Sequence, residues 1–314
     1  MTTIPAPAHS TSGARTGGEG AQPAARKIWI DGVLLDRSEA KVSVYDHGYL
    51  YGDGIFEGIR IYGGRIFKLA SHLKRLLQSA EMIRLKLRWS VEEIDRAVRQ
   101  TVEANGLRDG YIRLVVSRGV GSLGLNPFKC PQPTMVVIAD SIELYPAALY
   151  ESGMKIIVAQ RPRIPISCLD PAVKSLNYLN NILAKIEAVD AGVLEAIMLN
   201  LDGEVAECTG DNVFLVRGRE ILTPPKTAGI LHGVTRQFVM TELAPACGCT
   251  SREAKLRVAD FVQADEVFLT GTAAEIIGVT QIGEKKVASG SVGTVTRALT
   301  AEFRRRVAMN APED

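Results

Sequence analysis

The apolar runs of this 314-residue chain come in pairs joined by two-residue glycine turns, and that pairing decides what the chain can fold into. Lys27–Ile30 and Val33–Leu35 flank Asp31-Gly32, and Ile55–Tyr62 and Arg65–Phe67 flank Gly63-Gly64. Asp-Gly and Gly-Gly supply the positive φ of tight hairpin turns. The first half is therefore expected to contain antiparallel neighbours and not strand–helix–strand crossovers. Helical spacing follows at Leu73, Leu76, Leu77, Ala80 and Ile83 across residues 71–84. Ser90-Val-Glu-Glu93 is a capping-box pattern that opens a second helix, to about Ala104. Tyr111–Ser117 and Thr134–Ala139 read as strands. Strands in hairpins beside two helices make an α+β arrangement.

Residues 1–25 are almost all Ala, Gly, Ser, Thr and Pro and carry little charge. They read as a disordered tail that cannot bury enough surface to offset its ordering entropy, and they lack the basic and apolar regions of a signal peptide. The organisation expected beyond the tail is a smaller N-terminal domain at 26–140, a linker at 141–153 ending at Gly153, and a larger C-terminal domain at 154–314. In the larger domain a strand is predicted at Met154–Ala159, and a loop punctuated by Pro162, Pro165 and Pro171 leads to Lys174. A helix is predicted from Leu176 to Ala191. Strands at Ala196–Leu199 and Val213–Val216 flank the turn Asp202-Gly203. A helix from about Gly233 to Ala246, a strand at Glu266–Leu269 and a last helix at Thr294–Val307 complete the reading.

Composition narrows the function. The chain is 46% hydrophobic and 23% charged, enough apolar material for a large core. Its formal charge is 37 − 35 = +2, which gives no electrostatic case for nucleic acid or an anionic membrane surface. No apolar run approaches the ~20 residues that span a bilayer. The five cysteines are Cys130, Cys168, Cys208, Cys247 and Cys249; an odd count without CxxC argues for reduced thiols and a cytoplasmic location. Cys247-Gly-Cys249 has no His or further Cys near it in sequence, so no metal site is expected.

Gly119-Val-Gly121-Ser-Leu-Gly124 fits GxGxxG, and Asp140 stands near the spacing of a ribose-binding acid. A dinucleotide site also needs a helix that starts inside the motif. The sequence continues Leu125-Asn-Pro-Phe-Lys-Cys-Pro131, and two prolines in five residues do not start that helix. The segment reads instead as a Gly-rich loop of the kind that lines sites.

Other residues answer the needs of pyridoxal phosphate chemistry: a lysine amine, a partner for the pyridine nitrogen, a group near the ring hydroxyl and donors for a phosphate. Lys174 follows the Pro-rich loop; alone it would be a solvated lysine. Glu207 follows a hairpin turn; alone it would be a surface carboxylate. Gly233-Val-Thr235 and Gly271-Thr-Ala273 are small turns with hydroxyls, ordinary as turns or helix caps. Arg75 on the 71–84 helix would by itself face solvent.

Taken together, Tyr51-Gly-Asp-Gly-Ile-Phe-Glu-Gly-Ile-Arg60, His72-Leu-Lys-Arg75-Leu, Lys174-Ser-Leu-Asn-Tyr178, Glu207-Cys-Thr-Gly-Asp-Asn212, Gly233-Val-Thr-Arg236 and Thr270-Gly-Thr-Ala-Ala-Glu275 occur in the order of one family. The chain resembles the branched-chain-amino-acid aminotransferases, class IV pyridoxal-phosphate enzymes of fold type IV, over about residues 27–308. The resemblance implies a two-domain α+β fold like that of D-amino-acid aminotransferase, with the cofactor between the domains. It makes Lys174 the Schiff-base lysine that also moves the α-proton, Glu207 the partner of the pyridine nitrogen, and Tyr178 the partner of the ring hydroxyl. Arg75, Val234, Thr235 and Thr272 would hold the phosphate. Thr272 and Ala273 would hold the substrate carboxylate. Tyr51, Phe56, Arg60, Tyr111 and Arg113 would shape the substrate side, with Arg113 the candidate for the second carboxylate of 2-oxoglutarate. The substrates implied are Leu, Ile or Val and a 2-oxo acid. The Gly119–Asn126 loop resembles one that reaches a neighbouring subunit, which implies a homodimer or higher homo-oligomer.

The rivals within the fold are D-amino-acid aminotransferase and 4-amino-4-deoxychorismate lyase; Phe56–Arg60 and the Tyr after Asn177 favour the branched-chain reading. A catalytically silent binding protein would have lost Lys174, Glu207 or Arg75, and all are present. Asp211, Cys208 and Gly278 depart from the commoner residues of the family without removing a catalytic group.

Overall fold

The computed structural model describes residues 26–142 and 144–309; the N-terminal tail lies outside the described residues. Six strands form the first sheet: β1 (Lys27–Ile30), β2 (Val33–Asp36), β3 (Gly54–Tyr62), β4 (Arg65–Ile66), β5 (Gly110–Ser117) and β6 (Thr134–Asp140). Their order is β2-β1-β6-β5-β3-β4, antiparallel throughout. Both glycine-turn hairpins are present: Ile30 pairs with Val33, and Tyr62 with Arg65. Asp31, Gly32, Gly63 and Gly64 all have positive φ, which explains the turn residues.

Two helices cover one face of this sheet. Leu69–Met82 buries Leu69, Leu73, Leu76 and Ala80, and Val91–Ala104 buries Ile94, Ala97, Val98 and Val102 against the same core. The capping box at Ser90 forms in full, with Glu93 N donating to Ser90 Oγ and Ser90 N to Glu93 Oε2.

The second sheet has nine strands. They are β7 (Met154–Val158), β8 (Ala196–Leu199), β9 (Val205–Cys208), β10 (Asn212–Arg217), β11 (Glu220–Thr223), β12 (Thr250–Glu253), β13 (Glu266–Gly271), β14 (Glu275–Ile282) and β15 (Lys285–Lys286). The order is β12-β11-β10-β13-β14-β7-β8-β9, with β15 on β14. The Asp202-Gly203 turn joins β8 to β9, not to the predicted strand at Val213–Val216, which pairs with β11 and β13. The register puts Glu207 opposite Met198.

The helix predicted from Leu176 begins at Leu179 and ends at Asp190. The reason is tertiary. Phe56 N donates to Lys174 O at 2.9 Å and Leu176 N donates to Gly54 O at 2.9 Å, so this segment lies along β3 before it can coil. Within the expected linker, residues 144–153 carry more structure than a plain connection: Tyr145 is buried and Leu149–Ser152 is a short helix. Among the described residues no helix is long and apolar enough to cross a membrane.

Candidate active site

A cavity of about 520 Å³ is lined from both sheets and from the Lys174 segment. Its polar wall begins on the helix Leu69–Met82. His72, Arg75 and Ser79 recur at i, i+3 and i+7, a single stripe of that helix, and all three are buried. Arg75 therefore does not face solvent. Its Nε and Nη2 donate to the two carboxylate oxygens of Glu57, each at 2.7 Å, and its Nη1 donates to His232 O at 3.0 Å. His72 Nδ1 lies 2.8 Å from Glu57 Oε2. Burial would raise the Glu57 pKa, but the Arg75 guanidinium and His72 bring it down to about 2. Burial pushes the His72 pKa below its usual value, so the imidazole is neutral at neutral pH.

Lys174 is fixed through its backbone, since its N–H donates to Ser79 Oγ at 3.1 Å and its carbonyl accepts from Phe56 N. Its Nζ points into the cavity, where it donates to Tyr178 OH at 3.2 Å and sits 4.5 Å from the Phe56 ring centroid. Phe56 and Tyr178 pack edge to face at 5.1 Å.

Glu207 is buried on β9. Its Oε1 accepts from Arg163 Nε at 2.9 Å, and its Oε2 accepts from Leu231 N at 2.9 Å and Asn212 Nδ2 at 3.2 Å. Arg163 is held in turn by Asn181 Oδ1 at 3.1 Å. Neither Glu57 nor Arg163 stands out as a site residue in the sequence. A carboxylate in the otherwise apolar run Ile55–Ile59 is the available signal for Glu57, because a buried charge needs a partner. Arg163 has none, being 44 residues from Glu207 in a proline-rich loop.

At the far end, the helical run from Val234 to Ala246 opens at Gly233 without a side-chain cap. A π turn at Val239–Leu243 precedes Pro245, which has no N–H to give to the preceding turn. Val234, Thr235, Thr270, Gly271, Thr272 and Ala273 line the cavity here. Two buried polar atoms at this end, Thr270 Oγ1 and Arg236 Nε, have no hydrogen-bond partner. A Cβ on Gly233 would come within 2.1 Å of Asn212 Oδ1, so close backbone approach requires glycine there.

On the opposite side Tyr111 and Arg113 reach in from β5, with the Arg113 guanidinium 4.5 Å from the Phe56 ring centroid. Tyr111 OH occupies the space of a side chain at Gly58, where a Cβ would lie 1.8 Å away. Val115, Ile142, Leu144, Leu176 and Ile182 supply apolar surface. Two of the sequence candidates are not brought together with these. Tyr51 OH accepts from Gly124 N at 2.9 Å outside the cavity. Arg60 lines a neighbouring cavity of about 250 Å³, with its Nη2 3.6 Å from Glu275 Oε1.

Residues 54–282 match the family model of amino-transferase class IV. A Methanocaldococcus jannaschii protein provisionally named a branched-chain-amino-acid aminotransferase is 47% identical over 278 residues, 88% of this chain and 95% of its own. The D-alanine aminotransferase of Bacillus licheniformis is 35% identical over 271 residues, 86% of this chain and 93% of its own. Among solved structures, the branched-chain amino acid aminotransferase of Thermobaculum terrenum in its PLP form is 31% identical and superposes with a TM-score of 0.82, covering 91% of this chain and 95% of that one. A family match across most of the chain, joined to the fold and to this cavity, makes the protein a member of the class IV aminotransferases, enzymes of fold type IV that use pyridoxal 5'-phosphate.

Proposed function

We propose that this aminotransferase moves the amino group of an L-amino acid with a branched apolar side chain (Leu, Ile or Val) to 2-oxoglutarate. The observation that carries this reading is the apolar wall of Phe56, Val115, Ile142, Leu144, Leu176 and Ile182 around the Lys174 amine, with Arg113 beside it. That wall suits a hydrocarbon side chain, and Arg113 suits the second carboxylate of the acceptor.

The cofactor fits the cavity on grounds internal to the protein. The unpaired Thr270 hydroxyl and Arg236 Nε, the uncapped start of the helix at Val234 and the Arg75 guanidinium form an end suited to a phosphate. In this reading Arg75, Val234, Thr235 and Thr272 hold that phosphate, and Tyr178 faces the ring hydroxyl. When bound, pyridoxal phosphate supplies an electron sink conjugated with the α-carbon of the substrate. Lys174 Nζ is the amine that anchors it and then carries the α-proton, and the Tyr178 hydroxyl at 3.2 Å orients that amine. Glu207 keeps a carboxylate at the pyridine nitrogen, and Arg163 holds it in place. Thr272 and Ala273 receive the α-carboxylate, while Tyr111 and Phe56 bound the side chain.

We also propose a homodimer, with residues 26–140 and 154–314 as the two domains of each subunit. Leu123, Leu125 and Phe128 are 69%, 81% and 68% exposed on the loop after β5, whose Gly121 N donates to the carbonyl of exposed Tyr45. An apolar patch of this kind suits a second copy of the chain, and it would give Tyr51 a role at a partner's cavity.

The likeness to D-alanine aminotransferases supports a second reading, in which the donor is a D-amino acid. Absorbance spectra of the purified enzyme separate the two. In the proposed reading L-leucine converts the cofactor band to the pyridoxamine form and D-alanine leaves it unchanged. Conversion by D-alanine alone would overturn it.

A further inference from the structure

The roles above leave unused a buried cluster on the cavity wall. Asp211 and Glu195 are 5% and 1% exposed, and Tyr145 is 4% exposed. The Tyr145 hydroxyl donates to Asp211 Oδ2 at 2.8 Å and lies 3.4 Å from Glu195 Oε2. Glu195 Oε1 accepts from Ala196 N at 2.8 Å, Thr209 N at 2.9 Å and Thr209 Oγ1. The ammonium facing the cluster is Lys185, with Nζ 3.6 Å from Glu195 Oε2 and 6.0 Å from the Tyr145 ring centroid. Glu207, Cys208 and Tyr150 are further titratable groups around Asp211. Burial, reinforced by Glu195, raises the Asp211 pKa well above the carboxylate range.

Two nearly dry carboxyls are costly for a fold to keep. Asp211 reaches the substrate side through one hydrogen bond. Through Tyr145 it holds the segment joining the two sheets, whose Ile142 and Leu144 line the cavity. We propose that Asp211 is a positioning residue that fixes the wall of Ile142 and Leu144 through Tyr145, and so sets the preference of the enzyme for large apolar side chains. This rests on the aminotransferase reading and deepens it.

The test uses the cofactor-loaded enzyme with Asp211→Ala, Tyr145→Phe, the double variant and the conservative Asp211→Asn. Removing the contact raises KM for L-leucine about tenfold, an amount typical of losing contacts around a methylene or two. KM for L-alanine, kcat and the affinity for pyridoxal phosphate stay within about twofold of wild type. The double variant is no worse than either single variant, because both remove one interaction. Asp211→Asn, which keeps an oxygen for the Tyr145 hydroxyl, recovers most of the preference. Binding of 4-methylvaleric acid, read by titration calorimetry, weakens in parallel with the leucine KM. Equal losses for leucine and alanine, a joint fall in kcat and cofactor affinity, or additive single effects would overturn the proposal. Failure of the substrate reading is separate, since it shows as wild-type enzyme that does not turn over L-leucine. In that case the same variants are compared on the apolar amino acid that wild type does use.

Discussion

Replacing Glu57 by Gln removes one charge from a side chain with no exposure to water, and the structure states what that costs. Glu57 accepts two hydrogen bonds at 2.7 Å from Arg75 and faces His72 Nδ1 at 2.8 Å. A glutamine amide can serve only one side of that arrangement, because its NH2 would meet a donor of Arg75 or His72. The difference between the ordinary value of 4.5 and the folded value of about 2 is worth about 3 kcal/mol at neutral pH. Breaking one partner of a buried ion pair costs a similar ~3–5 kcal/mol. The sign of the pH dependence follows. The folded pKa is depressed, so the contribution is fully present above 4.5 and is lost as the pH falls through about 2. Urea denaturation at saturating pyridoxal phosphate, followed by far-UV circular dichroism, reads this directly. Wild type should exceed Glu57→Gln by about 3 kcal/mol at pH 7, and the gap should shrink steadily below pH 4.5. A variant as stable as wild type at pH 7, or a gap independent of pH, would refute the claim that Glu57 is ionised and held by Arg75.

Three further outcomes are expected. Lys174→Ala should abolish transamination with the fold retained by circular dichroism, because the backbone of residue 174, not its Nζ, ties the segment to Ser79 and β3; normal turnover would sink the assignment of the catalytic amine. Glu207→Gln should lower kcat by orders of magnitude with modest loss of cofactor affinity, and should lower the melting temperature because Arg163 keeps its burial and loses its charge partner; a rate near wild type would place the pyridine partner elsewhere. Gly58→Ala should displace Tyr111 from its seat at 1.8 Å and raise KM for the amino acid while the absorbance of the bound cofactor is kept; steady-state kinetics with an unchanged KM would show that Tyr111 does not bound the substrate.

What could be read from the sequence and what could not divide along the distance between partners. Hairpins at Asp31-Gly32 and Gly63-Gly64 and the capping box at Ser90 are local, so the residues that specify them sit within a few positions of each other. The helix predicted from Leu176 starts three residues late because residues 174–176 satisfy their backbone on β3, more than a hundred positions earlier. The same distance hides the side-chain partners. Arg75 looks like a solvated arginine on an amphipathic helix until β3 brings Glu57 against it. Strand β3 is buried on nearly every residue, so no alternation marks which way Glu57 points.

That contrast bears on how the site is built. The residues that would meet the cofactor or substrate, Lys174, Tyr178, Glu207, Arg75 and Thr272, each stand in a short motif and can be found in the sequence. The groups that aim them, Glu57, Ser79, Arg163 and Asn212, come from other elements; Glu57 and Asn212 fall inside motifs, but nothing local shows which side chain each one holds, and Ser79 and Arg163 carry no local pattern. The contacts of Glu57, Arg163 and Asn212 are buried, so they are strong, and their loss leaves a polar group stranded away from water. The positions that decide whether this cavity is catalytically competent therefore lie one contact behind those that a motif reveals. Substitutions at Glu57 and Arg163 should damage the enzyme through Arg75 and Glu207, with effects on cofactor affinity and stability that exceed those of the exposed residues around the cavity mouth.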